Sequence, residues 1–248
     1  MYDAIIVGAG MAGLTAAIYA GRAGKKVVVF ESKVKGGEIV ESNMVSNYPG
    51  APDVSGTDLM KTVAEQATQF GAEIKLEEVV KIEDLGESKK VVTDEDEYEA
   101  KSVILAMGTE PRKLSEKQAA DAGDRPVSYC ATCDGALYAG KPVVVVGSGN
   151  TAKYEMAYLE KICSKVYHIH HDDPIPEDAE AVFVAIGRVP STGFLKGLVD
   201  MDEKGYIVAG EDCKTSCPGI YAVGDCRTKT TRQLVTAASD GAIAASMV

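Results

Sequence analysis

The sequence predicts an α/β chain built from two nucleotide-binding-like units, and three observations carry that expectation. A complete strand–glycine turn–helix–strand fingerprint opens the chain, and the same pattern begins again at Val143. Between them, just ahead of the repeat, lies Cys130-Ala131-Thr132-Cys133-Asp134. Repetition of one supersecondary pattern marks two related folding units in one chain.

Ala4-Ile5-Ile6-Val7 is the short apolar run of a strand buried in a parallel sheet. It leads into Gly8-Ala9-Gly10-Met11-Ala12-Gly13 and an Ala-rich helix reaching about Ala23, with Gly24 at the C-cap position. Val27 to Phe30 is the second strand, and Glu31 closes it. The first glycine permits the tight turn, the second lets a pyrophosphate approach the backbone, and the third lets helix and strand pack closely. The helix N-terminus adds unpaired N–H groups for phosphate. Glu31, 18 residues after Gly13, sits where a carboxylate accepts from ribose hydroxyls.

Gly36-Gly37-Glu38 and Asn47-Tyr48-Pro49-Gly50 fall in a loop-rich stretch. Leu59, Val63 and Ala67 recur at helical spacing and predict a helix over 57–70. Alternating runs over 73–99, punctuated by Gly86 and the acidic Asp94-Glu95-Asp96-Glu97, predict an antiparallel meander with a solvated hairpin tip. Val103 to Ala106 is a buried strand ending at Met107-Gly108-Thr109, and Pro111 marks the exit from the first domain. The polar stretch 113–125 suits a linker and a surface helix. The second fingerprint then runs through Val143 to Val146, Gly147-Ser148-Gly149, a helix to about Ile162, and a strand from Val166 to Ile169.

The chain is 46% hydrophobic, ample for buried cores, yet no stretch approaches the roughly 20 apolar residues a membrane-spanning helix needs. A formal charge of −11 argues against nucleic acid, whose phosphates select basic surfaces. Met1-Tyr2-Asp3 runs straight into a strand without a charged and apolar leader, so a cytoplasmic location is expected. Six cysteines, at 130, 133, 163, 213, 217 and 226, do not form a secreted disulfide framework. In a reducing compartment a lone Cys-x-x-Cys is redox-active or metal-binding. Zinc would require a second close pair or histidines. Cys213 and Cys217, followed by Pro218, make a poor one, so no metal is expected.

The second unit is short. Only residues 171–181 join the strand ending near Ile169 to the next buried run, Val182 to Ala185. A parallel crossover through a helix takes a dozen or more residues, and Pro174 and Pro176 oppose a helix. An extended connection of that length still spans roughly 36 Å, against about 17 Å for a five-residue strand. A reduced sheet can therefore close. Asp172 and Asp173 stand where an arginine would pair the 2′-phosphate of NADPH, whereas an acid there suits NADH.

With these motifs in place the chain closely resembles the low-molecular-weight thioredoxin reductase family over nearly its whole length. The likeness is carried by Gly8 to Gly13, Glu31, Gly36-Gly37, Asn47 to Gly50, Cys130 to Asp134, Val182 to Pro190, Gly219 to Asp225 and Arg232 to Ala238. It implies a FAD-binding Rossmann-like domain of three-layer ββα/α type, discontinuous over residues 1–112 and 191–248. A truncated nucleotide-binding-like domain carrying the Cys-x-x-Cys would be inserted as 113–190. FAD would be held by Gly8, Gly10, Met11, Ala12, Gly13, Glu31, Ser32, Gly36, Gly37, Glu38, Asn47, Val80, Ala106, Met107 and Gly108, with Gly224, Asp225, Arg232, Gln233, Leu234 and Ala237 from the C-terminal segment. Ordinary members bind NADPH with a glycine motif, a His-Arg-Arg cluster and a later Arg. Here His170-His171-Asp172 replaces the cluster and the following segment is absent. That pattern resembles the shortened, ferredoxin-dependent flavin thioredoxin reductases of anaerobes.

The resemblance implies that reduced flavin passes two electrons to a Cys130–Cys133 disulfide and that the dithiol reduces thioredoxin by exchange. Exchange needs a thiolate, and a Cys-x-x-Cys site lowers a thiol pKa from ~8.5 towards ~7. By the family pattern Cys133 faces the flavin, Cys130 attacks the partner and Asp134 is the acid/base; by position alone Asp134 is a turn residue before Gly135. A homodimer is implied, with thioredoxin and ferredoxin as partners. An acidic ferredoxin needs a local basic patch, for which Arg227, Lys229 and Arg232 are the candidates; ordinary surface charge is the other reading, and for the first two it stands level with the patch. Two other functions suit the same residues: an NADH- or NADPH-dependent disulfide reductase, and a flavin–dithiol redox sensor without turnover.

Overall fold

In the computed structural model, residues 1–32, 35–42 and 44–248 are described. In chain order they form β1 (Tyr2–Val7), α1 (Met11–Arg22), β2 (Val27–Glu31), α2 (Gly56–Gln69), β3 (Glu73–Leu76), β4 (Val79–Asp84), β5 (Lys89–Thr93), β6 (Glu97–Leu105) and β7 (Thr109–Pro111). There follow α3 (Glu116–Ala122), β8 (Val127–Ser128), α4 (Ala131–Asp134), β9 (Pro142–Val146), α5 (Asn150–Leu159), β10 (Lys165–Ile169), β11 (Val182–Val184), β12 (Arg188–Pro190), β13 (Ile220–Ala222) and α6 (Leu234–Ala245). The chain divides into two compact units, Met1–Glu110 with Pro190–Val248, and Pro111–Val189. Among the described residues no helix is long and apolar enough to cross a membrane.

In the first unit β3, β2, β1, β6 and β13 run parallel. The first half of β6 also pairs antiparallel with β5, and β5 with β4. Successive β1 residues point to opposite faces. Ala4 and Ile6 join α1 and α2 in one core with Leu14, Ala17, Met60 and Val63. Ile5 and Val7 join Phe30, Val91 and Leu105 in the other, beneath the meander. The three layers expected from the sequence follow directly. Helix α6 approaches α1 closely because Gly241 carries no side chain: a Cβ there would lie 2.2 Å from the Ala12 carbonyl oxygen.

One expectation needs correction. Residues 73–99 do not form a single meander, because β3 pairs parallel with β2, Val28 to Glu31 against Glu73 to Leu76. Helix α2 returns the chain to the edge of the parallel sheet, as a crossover helix does. Alternation of apolar residues reports a half-buried strand but not the direction of its neighbour.

The second unit is a four-stranded parallel sheet, ordered β10-β9-β11-β8. Residues 170–181 join β10 to β11 by turns and extended chain, with no helix. Ile175 and Ala179 of this connection are buried in one core with Val144, Val146 and Val184. The short link therefore covers the sheet face that a crossover helix would otherwise cover. On the other face Ala152 and Leu159 of α5 pack with Val143, Val145 and Phe183.

Candidate active site

In the first unit a glycine cradle forms where β1 ends and α1 begins. Gly8 has a φ of +105°, and a Cβ on it would meet the Ala106 carbonyl oxygen at 2.5 Å. A Cβ on Gly13 would lie 1.9 Å from the Gly8 carbonyl oxygen. In front of Gly10, by contrast, nothing stands within 4 Å of a Cβ. Helix α1 starts there without a side-chain cap. The cradle is tight behind and open in front, with N–H groups of a helix start on the open side.

The loops expected at this site converge on it. Glu31 accepts a hydrogen bond from the Ala9 N–H at 2.9 Å, and the Gly36 N–H donates to the Ala9 carbonyl at 2.9 Å. A Cβ on Gly37 would lie 3.3 Å from the Gly10 Cα. One on Gly224 would meet the Ala12 Cβ at 3.0 Å and that of Ala237 at 3.8 Å. Asn47 donates to the Gln233 amide oxygen at 3.2 Å, joining residues far apart in sequence. Leu234 opens α6 and packs on the helix-side core, while Met107 and Gly108 follow β6 and are half-buried. Ser32 and Glu38 are exposed. Met11 turns its side chain inward, where its sulfur accepts from the Thr15 hydroxyl at 3.8 Å, so only its backbone is available to a ligand. Val80 stands on β4, the outer strand of the meander, 47% exposed. The space before Gly10 and the Glu31 carboxylate beside it suit a pyrophosphate dinucleotide such as FAD.

The basic patch expected of Arg227 and Lys229 is overturned. Asp240 of α6, 4% exposed, receives Arg227 through Nε at 2.9 Å and Nη2 at 2.7 Å, and Lys229 through Nζ at 2.9 Å. Arg227 is itself only 8% exposed, so neither cation forms an open docking surface. Asp240 also accepts the Gly224 N–H at 2.9 Å and so pins the turn beside the cradle. Arg232 is likewise engaged: it donates to the carbonyls of Asp225, Arg227 and Lys229 and lies over the Tyr206 ring at 4.2 Å. Burial opposes ionisation of Asp240, but Arg227 and Lys229 outweigh it and hold the carboxyl below its ordinary range.

Asp240→Asn should lower stability at neutral pH by about 3–5 kcal/mol, the cost of stranding a buried charge. The wild-type contribution is present above the unfolded carboxylate value and disappears as pH falls through the lower folded one. Urea midpoints of both proteins at pH 7 and in mild acid measure this, and the two should converge only in acid.

In the second unit Cys130 and Cys133 are joined in a disulfide, with Cα atoms 5.3 Å apart. The N–H groups of Cys133 and Asp134 both donate to the Cys130 carbonyl, at 3.2 and 3.1 Å, which makes the tight turn. Ser128 organises the rest. Its hydroxyl donates to Asp134 Oδ2 at 2.7 Å and accepts the Cys130 N–H at 3.2 Å. Sequence reasoning missed Ser128, since a serine two residues ahead of the motif carries no pattern of its own. Burial and then the Asp134 charge push the Tyr138 phenol up. The other cysteines do not compete for exchange chemistry: burial raises the Cys163 and Cys217 thiols, takes Cys213 to about 11 and takes Cys226 to about 12.

The second glycine turn opens on a cavity of about 690 Å³ lined by Arg112, Lys113, Gly147, Gly149, His171 and Gly187 among others. The acids at the end of β10 are exposed, and each accepts a local hydrogen bond. Asp172 accepts from the Ser115 hydroxyl at 2.6 Å, and Asp173 from the His170 N–H at 2.8 Å.

The sequence profile described as pyridine nucleotide-disulphide oxidoreductase matches residues 2–178 and 172–242. Its two segments meet within the short β10–β11 connection. The chain is 35% identical to a thioredoxin reductase of Listeria innocua over 292 aligned positions, covering 98% of this chain and 92% of that protein. The fold matches the crystal structure of thioredoxin reductase from Streptococcus pyogenes with a TM-score of 0.91 at 33% identity, covering 100% of this chain and 96% of that one. It also matches a ferredoxin-flavin thioredoxin reductase from Clostridium acetobutylicum with a TM-score of 0.63 at 32% identity, covering 99% and 95%.

Proposed function

Because this chain belongs to the pyridine nucleotide-disulphide oxidoreductase family, we propose that it reduces thioredoxin with electrons taken from reduced ferredoxin. It is a FAD-binding flavoprotein disulfide oxidoreductase, and its donor is the finer question. One observation carries the ferredoxin reading: β10 is joined to β11 by residues 170–181 alone, without the elements that complete a dinucleotide pocket. The Listeria innocua alignment spans 292 positions against a chain of 248 residues, so that relative has segments with no counterpart here.

When bound, FAD supplies the two-electron reductant for the disulfide. The Cys130–Cys133 bond breaks and two electrons enter; one sulfur takes up a proton to become a thiol and the other is left as a thiolate. Cys130, as thiolate, then attacks the thioredoxin disulfide; Cys133 resolves the mixed disulfide by the same exchange, re-forming the Cys130–Cys133 bond. Asp134, held by the Ser128 hydroxyl, serves as the group that gives and takes the proton at the thiols. By the family likeness Cys133 is the flavin-side sulfur, and the active form is a cytoplasmic homodimer, which light scattering at twice the chain mass checks.

A second donor has one observation in its favour. The cavity before Gly147 retains Arg112 and Lys113, cations that suit a nucleotide phosphate. Anaerobic absorbance measurements with reduced ferredoxin, NADPH and NADH in parallel decide between them. Rapid flavin bleaching by ferredoxin and slow bleaching by both nucleotides is the expected result. Full bleaching by either nucleotide at sub-millimolar concentration would move the assignment to that nucleotide. Sustained thioredoxin reduction with the effective donor separates an enzyme from a redox sensor.

A further inference from the structure

We propose that Glu155 is a positioning residue of the dithiol site, whose carboxyl lies on the helix seam that seats the Cys130–Cys133 segment and takes up a proton when that disulfide is reduced. The inference rests on the flavin–dithiol reading but not on the identity of the electron donor.

Glu155 lies on the buried seam of α5, with Ala152 and Leu159 as the other buried residues of the helix. An acid at such a position is unusual, since carboxylates are rarely buried unless paired. It is 8% exposed, and its Oε2 is buried without a hydrogen-bond partner. On that seam Ala152 and Leu159 pack in one cluster with Ala131, the first residue of α4 and the next peptide after Cys130, and the Ala131 N–H favours the ionised carboxyl. The far end of the segment is clamped to the same helix. A Cβ on Gly135 would lie 2.9 Å from Leu159 Cδ2 and 3.0 Å from Tyr158 Cε1. The dithiol segment is thus seated on α5 at both ends, and the carboxyl stays beside it.

A dry, half-satisfied carboxylate is costly to ionise. Burial pushes Glu155 up to about 7, with the Ala131 N–H and the Arg188 charge opposing. The titratable groups on the elements packed against α5 are Cys130, Cys133 and Asp134 around α4, Tyr138 on the turn that begins at Gly135, and Lys165, Tyr167 and His168 on β10; β9 carries none. Arg188 alone contributes a charge interaction with Glu155.

The redox step alters this balance. As the S–S bond breaks and two electrons enter, one sulfur becomes a thiol and the other a thiolate. Negative charge then appears one residue from Ala131, which packs on the seam that carries Glu155. Like charge favours the protonated carboxyl, so Glu155 binds a proton from solvent more tightly in the reduced site. The reverse coupling has a fixed sign. Above neutral pH an ionised Glu155 disfavours the thiolate, so removing its charge should lower the pH at which the thiolate forms.

Glu155→Gln keeps the size and a carbonyl acceptor and removes the proton site. The protein is reduced with excess phosphine, and iodoacetamide alkylation of Cys130 and Cys133 is followed across pH 5.5–9.5. Wild type should show two titrations, and the glutamine variant one, displaced to lower pH. Alkylation of the variant at pH 7.5 should be roughly three- to tenfold faster, the change that half to one pKa unit of coupling produces. Superimposable profiles would overturn the proposal. If the variant fails to fold, infrared difference spectra of wild type suffice: a protonated-carboxyl band must grow on reduction near neutral pH and persist in Asp134→Asn. Its absence would overturn the proposal equally. Thiols that alkylate with an unmoved profile defeat the role of Glu155 alone, whereas a reduced protein with no alkylatable pair defeats the dithiol reading with it.

Discussion

With serine at position 133, thioredoxin reduction is expected to fall by about three orders of magnitude or more, while FAD content and fold are retained. A hydroxyl cannot form or accept the disulfide, and no other cysteine can substitute. Cys213 and Cys226 are buried with thiols at about 11 and about 12. The turn itself survives the change, because the Cys133 and Asp134 bonds to the Cys130 carbonyl are made by backbone N–H groups. The two half-reactions therefore separate: the donor still bleaches the flavin, and electrons stop there. Turnover within tenfold of wild type would remove the dithiol from the mechanism.

Gly13→Ala should abolish FAD binding and destabilise the first unit by more than about 3 kcal/mol, beyond the usual range for overpacking. The added Cβ would lie 1.9 Å from the Gly8 carbonyl oxygen, a backbone atom that cannot move without breaking the β1–α1 turn. Gly10→Ala is the informative contrast. Its φ of −78° suits alanine, and nothing stands within 4 Å of the new methyl. The apo-protein should be as stable as wild type within about 0.5 kcal/mol. FAD affinity should nevertheless fall, because the methyl occupies the space that a pyrophosphate needs. Thermal melts of the apo-proteins, together with flavin titration of each, test the pair. Undiminished FAD affinity in Gly10→Ala would show that the cofactor does not approach that face.

The features read correctly from sequence are those whose physics is local. A glycine turn between an apolar run and a helix is a pattern of a few residues, and Gly8 to Gly13 folds as that pattern requires. The missing crossover helix was legible for the same kind of reason, since Pro174, Pro176 and the length of 170–181 bound what that segment can do. The orientation of β3 was not legible, because alternation describes one strand and not its neighbour. Nor was the fate of Arg227 and Lys229. Their partner Asp240 lies 13 and 11 residues away in sequence and meets them only because α6 packs back onto the unit. Ser128 and Glu155 belong with them, as single polar residues whose roles come from what they touch.

The sequence by itself determined the two nucleotide-binding-like units, the Cys130–Cys133 pair and the shortened second unit, because each depends on neighbours along the chain. The tertiary structure decided which charges are buried and paired, which glycines face open space, and which carboxyl sits against the dithiol segment. Those outcomes depend on desolvation and on distances between residues remote in sequence, quantities that exist only once the chain has packed.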